Sequence, residues 1–183
     1  MNKIFIIHGS YGSPEENWFP WLKTELEELG CKVFIPKFPT PNNQSLSSWM
    51  KVFKPCEMLI DENSILVGHS LGPAFILHLL ERHKVKSAFF ISGFVGKLNH
   101  PDFDLINDTF VNHHFDWQKI RSNCSTFQIY HSDNDPYVPL DRAEEIARFL
   151  EIKVKIIKNA GHFNKAAGYT TFPLLLEEIK KKL

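Results

Sequence analysis

The sequence predicts a parallel β-sheet covered by helices on both faces. Three observations carry this: six short β-rich runs, helical periodicity between them, and polar clusters where several of the runs end. The first run is Lys3 to Ile7, closed by His8-Gly9. A helical pattern over Glu15 to Leu29 puts Trp18, Leu22, Leu26 and Leu29 on one face, and Gly30 ends it. Lys32 to Ile35 returns as a strand stopped by Pro36, and Pro36, Pro39 and Pro41 mark a loop. Ser45 to Phe53 is a shorter helix with Leu46, Trp49, Met50 and Phe53 inward. Ser64 to Val67 is the third strand, and Pro73 to Leu80 reads as a buried helix behind it. Lys86 to Ile91 and Thr126 to Tyr130 are the fourth and fifth strands. A helix through Ala143, Ile146, Ala147 and Leu150 follows, and Asp141 with Glu144 resembles a capping box at its start. Ile152 to Ile157 is the last strand. Thr171 to Leu183 is the last helix, and Phe172, Leu175, Leu176, Ile179 and Leu183 form its apolar stripe.

Strands alternating with helices imply parallel pairing and right-handed crossovers. The 183 residues suit one domain, and a chain of that size buries roughly 70% of its unfolded surface without disulfide staples. Residues 94–123 resist assignment. They are too long for a simple connection, so a small lid or cap is expected there.

Bulk composition excludes several function classes. Basic and acidic side chains number 21 each, which argues against nucleic acid or an anionic membrane as the main partner. The terminal Lys180-Lys181-Lys182 suits a solvated helix end. Three widely spaced cysteines, Cys31, Cys56 and Cys124, imply reduced thiols and a cytoplasmic setting. The apolar run Ile4 to Ile7 is too short for a signal peptide or a membrane span. Nine histidines raise the question of a metal, but His100, His113 and His114 show no His-x3-His or Cys-x2-Cys spacing, so neither metal nor cofactor is expected.

The chemistry concentrates in Gly68-His69-Ser70-Leu71-Gly72, a serine between two glycines at a strand-to-helix turn. That arrangement holds the serine on a strained backbone and pushes its hydroxyl outward. Pro73 falls in the first helical turn, where its missing N–H costs little. A serine hydroxyl needs a base within reach, and an imidazole base needs a carboxylate to fix its tautomer. Parallel sheets bind ligands at the carboxyl ends of their strands. At those ends stand His8-Gly9-Ser10, Ser70, Ser132-Asp133-Asn134-Asp135-Pro136 and Gly161-His162. His162, after the last strand, is the expected base. His8 and His69 are read as orienting the loops around the serine, and His78 and His83 as packed or solvated helix residues. Asp133 and Asp135 compete for the acid, being two residues apart in one turn.

The sequence resembles the retinoblastoma-binding-protein-9-like serine hydrolases, compact members of the α/β-hydrolase superfamily. The resemblance spans nearly the whole chain. It rests on Ile6-Ile7-His8-Gly9-Ser10, Trp18-Phe19-Pro20-Trp21-Leu22, the Ser70 turn, Ser132 to Pro139 and Ala160-Gly161-His162-Phe163. It implies a six-stranded, mostly parallel sheet of order 2-1-3-4-5-6 and the triad Ser70, Asp135, His162. Asp before Pro-x-Val-Pro selects Asp135 over Asp133. The backbone N–H of Leu71 should form one half of an oxyanion hole, and that of Ser10, with Tyr11 as the alternative, the other. Trp18, Phe19 and Trp21 read as core or pocket wall, and Phe94, Tyr137 and Phe163 as candidates for an apolar acyl pocket. The implied activity is carboxylesterase-like hydrolysis of a small ester, thioester or amide. An acyltransferase or thioesterase, or a non-catalytic binding protein on the same fold, are the alternatives. The family's namesake is associated with retinoblastoma protein through Leu-x-Cys-x-Glu. The nearest segment here, Leu29-Gly30-Cys31-Lys32-Val33, lacks the glutamate, so that partner is not expected.

Overall fold

A computed structural model describes residues 2–183. Its sheet has six parallel strands: β1 (Lys3–Ile7), β2 (Lys32–Phe34), β3 (Ile65–His69), β4 (Val85–Ile91), β5 (Cys124–Ser132) and β6 (Val154–Ile157). The spatial order is β2-β1-β3-β4-β5-β6, as expected. Among the described residues, seven α-helices flank the sheet: α1 (Phe19–Glu28), α2 (Leu46–Glu57), α3 (Gly72–Leu80), α4 (Pro101–Val111), α5 (Trp117–Asn123), α6 (Leu140–Leu150) and, after the last strand, α7 (Pro173–Lys180).

The period-two alternation of the strands divides the core into two. Ile4 and Ile6 of β1, with Ile65 and Val67 of β3, face α1 and α7 across Phe19, Leu22, Leu175 and Ile179. Phe5, Ile7 and Leu66 face the other way, onto Trp49 and Phe53 of α2 and onto α3 and α6. The helix α3 is buried on every side, which explains its uniformly apolar sequence.

Several boundaries differ from the sequence reading. The helix expected from Glu15 starts at Phe19, because Asn17 has a left-handed φ of 54° and Pro20 occupies the first turn. The one expected to end at Phe53 runs through Pro55 to Glu57, and Ser45 with Ser48 closes a capping box at its start. Asp141 does not cap α6: the cap position is Pro139, and Asp141 lies in the first turn, where its charge suits the helix dipole. The last helix is shorter at both ends than 171–183. Residues 94–123 hold two helices, α4 and α5. Among the described residues, no helix is long and apolar enough to cross a membrane.

The strands end in near-register, with Ile7 beside Gly68, His69 beside Ile91, and Ser132 beside Ile157. Their carboxyl-end loops therefore open onto one edge of the sheet.

Candidate active site

That edge carries a cavity of about 410 Å³, lined by residues including Ser10, Ser70, Phe94, Asn107, Tyr137 and His162. Ser70 has φ 59°, the left-handed region that a side chain normally avoids. The surroundings force it there. The Ser70 N–H donates to Ile91 O at 2.9 Å, and α3 starts two residues later. A Cβ on Gly72 would collide with the carbonyl oxygen of Ile7, and one on Gly68 would lie 2.6 Å from the Pro73 nitrogen. Only glycine lets β3 and α3 meet this closely, and the meeting sets the turn that presents Ser70. Gly9 serves the same turn from β1: a Cβ there would stand 3.0 Å from Ser70 Oγ.

His162 Nδ1 donates to both carboxylate oxygens of Asp135, at 2.8 and 3.0 Å. Asp135 is almost wholly buried and also accepts the N–H groups of Tyr137 at 3.0 Å and Val138 at 3.1 Å. Burial alone would raise its carboxyl. The His162 bond and charge, together with the two N–H donors, outweigh that and hold it below the usual carboxylate range. The structure thus brings His162 and Asp135 into direct contact and lines one cavity with His162 and Ser70.

The neighbouring Asp133 points elsewhere. Its Oδ1 accepts the Asn159 N–H at 2.8 Å. It is one rung of a polar zipper joining the loop after β5 to the loop after β6. Ser132 Oγ accepts from Ala160 N at 2.9 Å, and Asn134 Oδ1 from Gly161 N at 2.8 Å. Asp135 receiving His162 is the fourth rung. Four successive side chains thus hold four successive residues, which fixes the height and tilt of the imidazole.

Three buried histidines close to this site take backbone partners. His8 Nε2 accepts the Phe38 N–H at 3.0 Å, so its Nδ1–H donates to Gly9 O at 2.8 Å. His69 Nε2 donates to the carbonyl of His162 at 2.8 Å. Burial, with the charge of His162 beside it, pushes the His69 imidazole down to about 3, so this ring is neutral near pH 7. His131 Nε2 donates to Val138 O at 2.9 Å and lies 3.9 Å from Asp135 Oδ2. Its Nδ1 and Ser92 Oγ are buried without a hydrogen-bond partner among the described residues.

The opposite wall is built from distant segments. Ser10 Oγ donates to Asn107 Oδ1 at 2.7 Å, and Gln44 Nε2 donates to Ser10 Oγ at 2.9 Å and Asn107 Oδ1 at 2.8 Å. This ties the β1 loop and the entrance to α2 onto α4. Tyr11 N–H donates to Thr40 Oγ1 at 2.6 Å. The sequence reading missed Gln44 and Asn107, whose only signal is tertiary. Phe94 and Tyr137 line the cavity, but Phe163 does not: it is fully buried and stacks on Phe172 at 5.3 Å. Trp18 is also core, its Nε1–H donating to Phe163 O at 3.0 Å. The three cysteines are free, and burial pushes the Cys124 thiol up to about 12, far from thiolate nucleophilicity.

The sheet order, the strained serine turn after the third strand and the cavity at the carboxyl edge define an α/β-hydrolase fold. The chain belongs to the serine hydrolase family, whose model matches residues 4–181. It is 31% identical over 179 residues to the YdeN protein of Bacillus subtilis (strain 168), covering 96% of this chain and 93% of the relative. It is 27% identical over 184 residues to serine hydrolase RBBP9 of Rattus norvegicus, covering 99% and 95%. The crystal structure of the B. subtilis ydeN gene product superposes with a TM-score of 0.91 at 28% identity, covering 100% of this chain and 98% of that one. At the level of fold alone, an extracellular α/β-hydrolase from a Paenibacillus species gives a TM-score of 0.67 at 15% identity, covering 100% and 99%.

Proposed function

We propose that this protein hydrolyses small carboxylic esters through an acyl-enzyme on Ser70, with His162 as base and Asp135 as its support. The observation that carries the reading is the bidentate Asp135–His162 pair opening onto the cavity that holds the strained Ser70. Asp135 fixes the His162 tautomer with hydrogen on Nδ1, which leaves the Nε2 lone pair to accept a proton. Ser70 Oγ attacks the carbonyl carbon as His162 Nε2 takes its proton, and the carbonyl oxygen becomes an oxyanion. His162 then returns the proton to the departing alkoxide. A water molecule, deprotonated by the same nitrogen, releases the acid and restores Ser70.

The oxyanion would sit between the N–H of Leu71, at the start of α3, and that of Ser10. Tyr11 is the weaker choice, because its N–H is already given to Thr40. The N-terminus of α3 adds a favourable dipole. Phe94 and Tyr137 offer apolar walls for the acyl or alcohol part, and α4 acts as a small cap over the site. A cavity near 410 Å³ suits a small substrate. The reading is tested with p-nitrophenyl acetate and butyrate. Wild-type protein should turn both over, and folded Ser70→Ala should fall to background. Equal turnover by the two proteins would overturn it.

A further inference from the structure

Outside the cavity, His78, Glu81 and His113 converge. A ring nitrogen of each histidine and a Glu81 carboxylate oxygen all lie within 4.8 Å of one another. His78 and Glu81 stand three residues apart at the end of α3 and share one side of it. His113 follows the end of α4, 32 residues beyond Glu81, so no local motif announces the cluster.

Each donor is oriented by a further contact. His78 is buried, and its Nε2 lies 2.8 Å from the carbonyl oxygen of Phe110. A carbonyl only accepts, so Nε2 carries the hydrogen and Nδ1 keeps a lone pair. Metal-binding histidines are commonly fixed in this way, through the ring nitrogen that does not touch the ion. Glu81 Oε1 accepts the Asp116 N–H at 2.8 Å, while Oε2 stands 3.0 Å from His113 Nε2. The two imidazoles lie 4.6 Å apart between centroids, and Phe115 packs against both, at 4.9 and 4.8 Å. A surface ion pair would account for Glu81 and His113. It would leave the Nδ1 lone pair of His78 outside the pair.

We propose that His78, Glu81 and His113 bind a divalent transition-metal ion, zinc by the chemistry of the donor set, with water as the fourth ligand. Two imidazoles and a carboxylate suit zinc, whereas magnesium and calcium favour oxygen donors alone. Donors about 2.1 Å from zinc stand roughly 3.4 Å apart in a tetrahedron. The Glu81–His113 separation is already close to that, and the exposed His113 ring is free to approach His78. Binding needs the lone pair of His113 Nε2, so any proton there leaves to solvent. The ion would pin the end of α3, the helix that begins beside Ser70, to the segment leaving α4, which walls the cavity.

The test is titration of the full chain with zinc chloride in a non-coordinating buffer, read by competition with a chromophoric chelator and by thermal denaturation. One equivalent should bind, and a hundred-fold excess over Kd should raise Tm by roughly 5–10 °C. His113→Ala and Glu81→Gln, both conservative of the fold at this partly exposed site, should each weaken binding at least about tenfold and erase the Tm shift, while His114→Ala should change neither. Circular dichroism verifies that the variants fold. No stoichiometric uptake overturns the proposal. So does uptake that survives His113→Ala or depends on His114 or on the cysteines.

Discussion

The two walls of the cavity are built on opposite plans. The wall that carries His162 is a zipper between the segments that leave two neighbouring strands, each rung joining residues 26 to 28 positions apart. The wall that carries Ser10 is a knot of side chains drawn from positions 10, 44 and 107, held only while α4 is docked. The first plan gives a fixed imidazole, which proton transfer requires. The second gives a surface whose shape depends on a helix outside the sheet. Under the proposed mechanism, the loops after β5 and β6 should govern the rate of the chemistry, and α4 should govern which substrates enter.

Substitutions separate the two walls, and the largest effects fall on the reacting groups. Ser70→Ala should lower kcat for ester hydrolysis by about 10⁴–10⁶-fold with the fold intact, measured by steady-state assay and circular dichroism. Within the zipper, Asp135→Asn should cost on the order of 10⁴ in kcat, because the wrong His162 tautomer becomes favoured. Asp133→Asn loses only a loop clamp and should cost less than about tenfold. The reverse pattern would move the acid to Asp133.

The opposite wall should answer differently. Asn107→Ala removes a buried side chain and strands the half-buried Ser10 and Gln44 groups, and should cost about 1–3 kcal/mol of stability in urea titration. Its kinetic signature should be a raised KM for bulkier esters with kcat within a few-fold. A kcat loss as deep as that of Asp135→Asn would show that both walls serve the chemistry alike.

The smallest effect concerns pH. His69 is buried neutral, its imidazole lowered from 6.5 to about 3. The unfolded chain therefore takes up a proton below pH 6.5 that the folded chain refuses. Stability from this group is full above that pH and is lost as pH falls toward 3. His8, His78 and His131 are lowered in the same direction by burial. Tm should fall steadily from pH 6.5 to 4, and His69→Gln, which keeps a donor for the His162 carbonyl, should show a shallower fall. Identical slopes would contradict the linkage.

The contrast between the walls also explains what the sequence made legible. The Ser70 turn could be read because glycine, serine and proline act locally there, and because six periodic strands placed it on the sheet. Asp135 was separable from Asp133 only by family pattern, since both lie in one turn and the choice depends on whether a backbone N–H or the His162 ring arrives from residues 159–162. Gln44 and Asn107 were invisible: one lies in a loop, the other in the unassigned stretch 94–123, and neither carries a local signal. Phe163 was misplaced for a similar reason. Its left-handed φ of 50° turns the side chain under the loop into the core beside Phe172, although its neighbour His162 faces the cavity.

The claim on which the rest depends is that Ser70 is the nucleophile. Intact-mass spectrometry after incubation with a fluorophosphonate, followed by peptide mapping, tests it directly. The account predicts a single adduct on Ser70, formed by wild-type protein, absent in Ser70→Ala and slowed by orders of magnitude in Asp135→Asn. An adduct on another residue, or no adduct on folded wild-type protein near neutral pH, would contradict it.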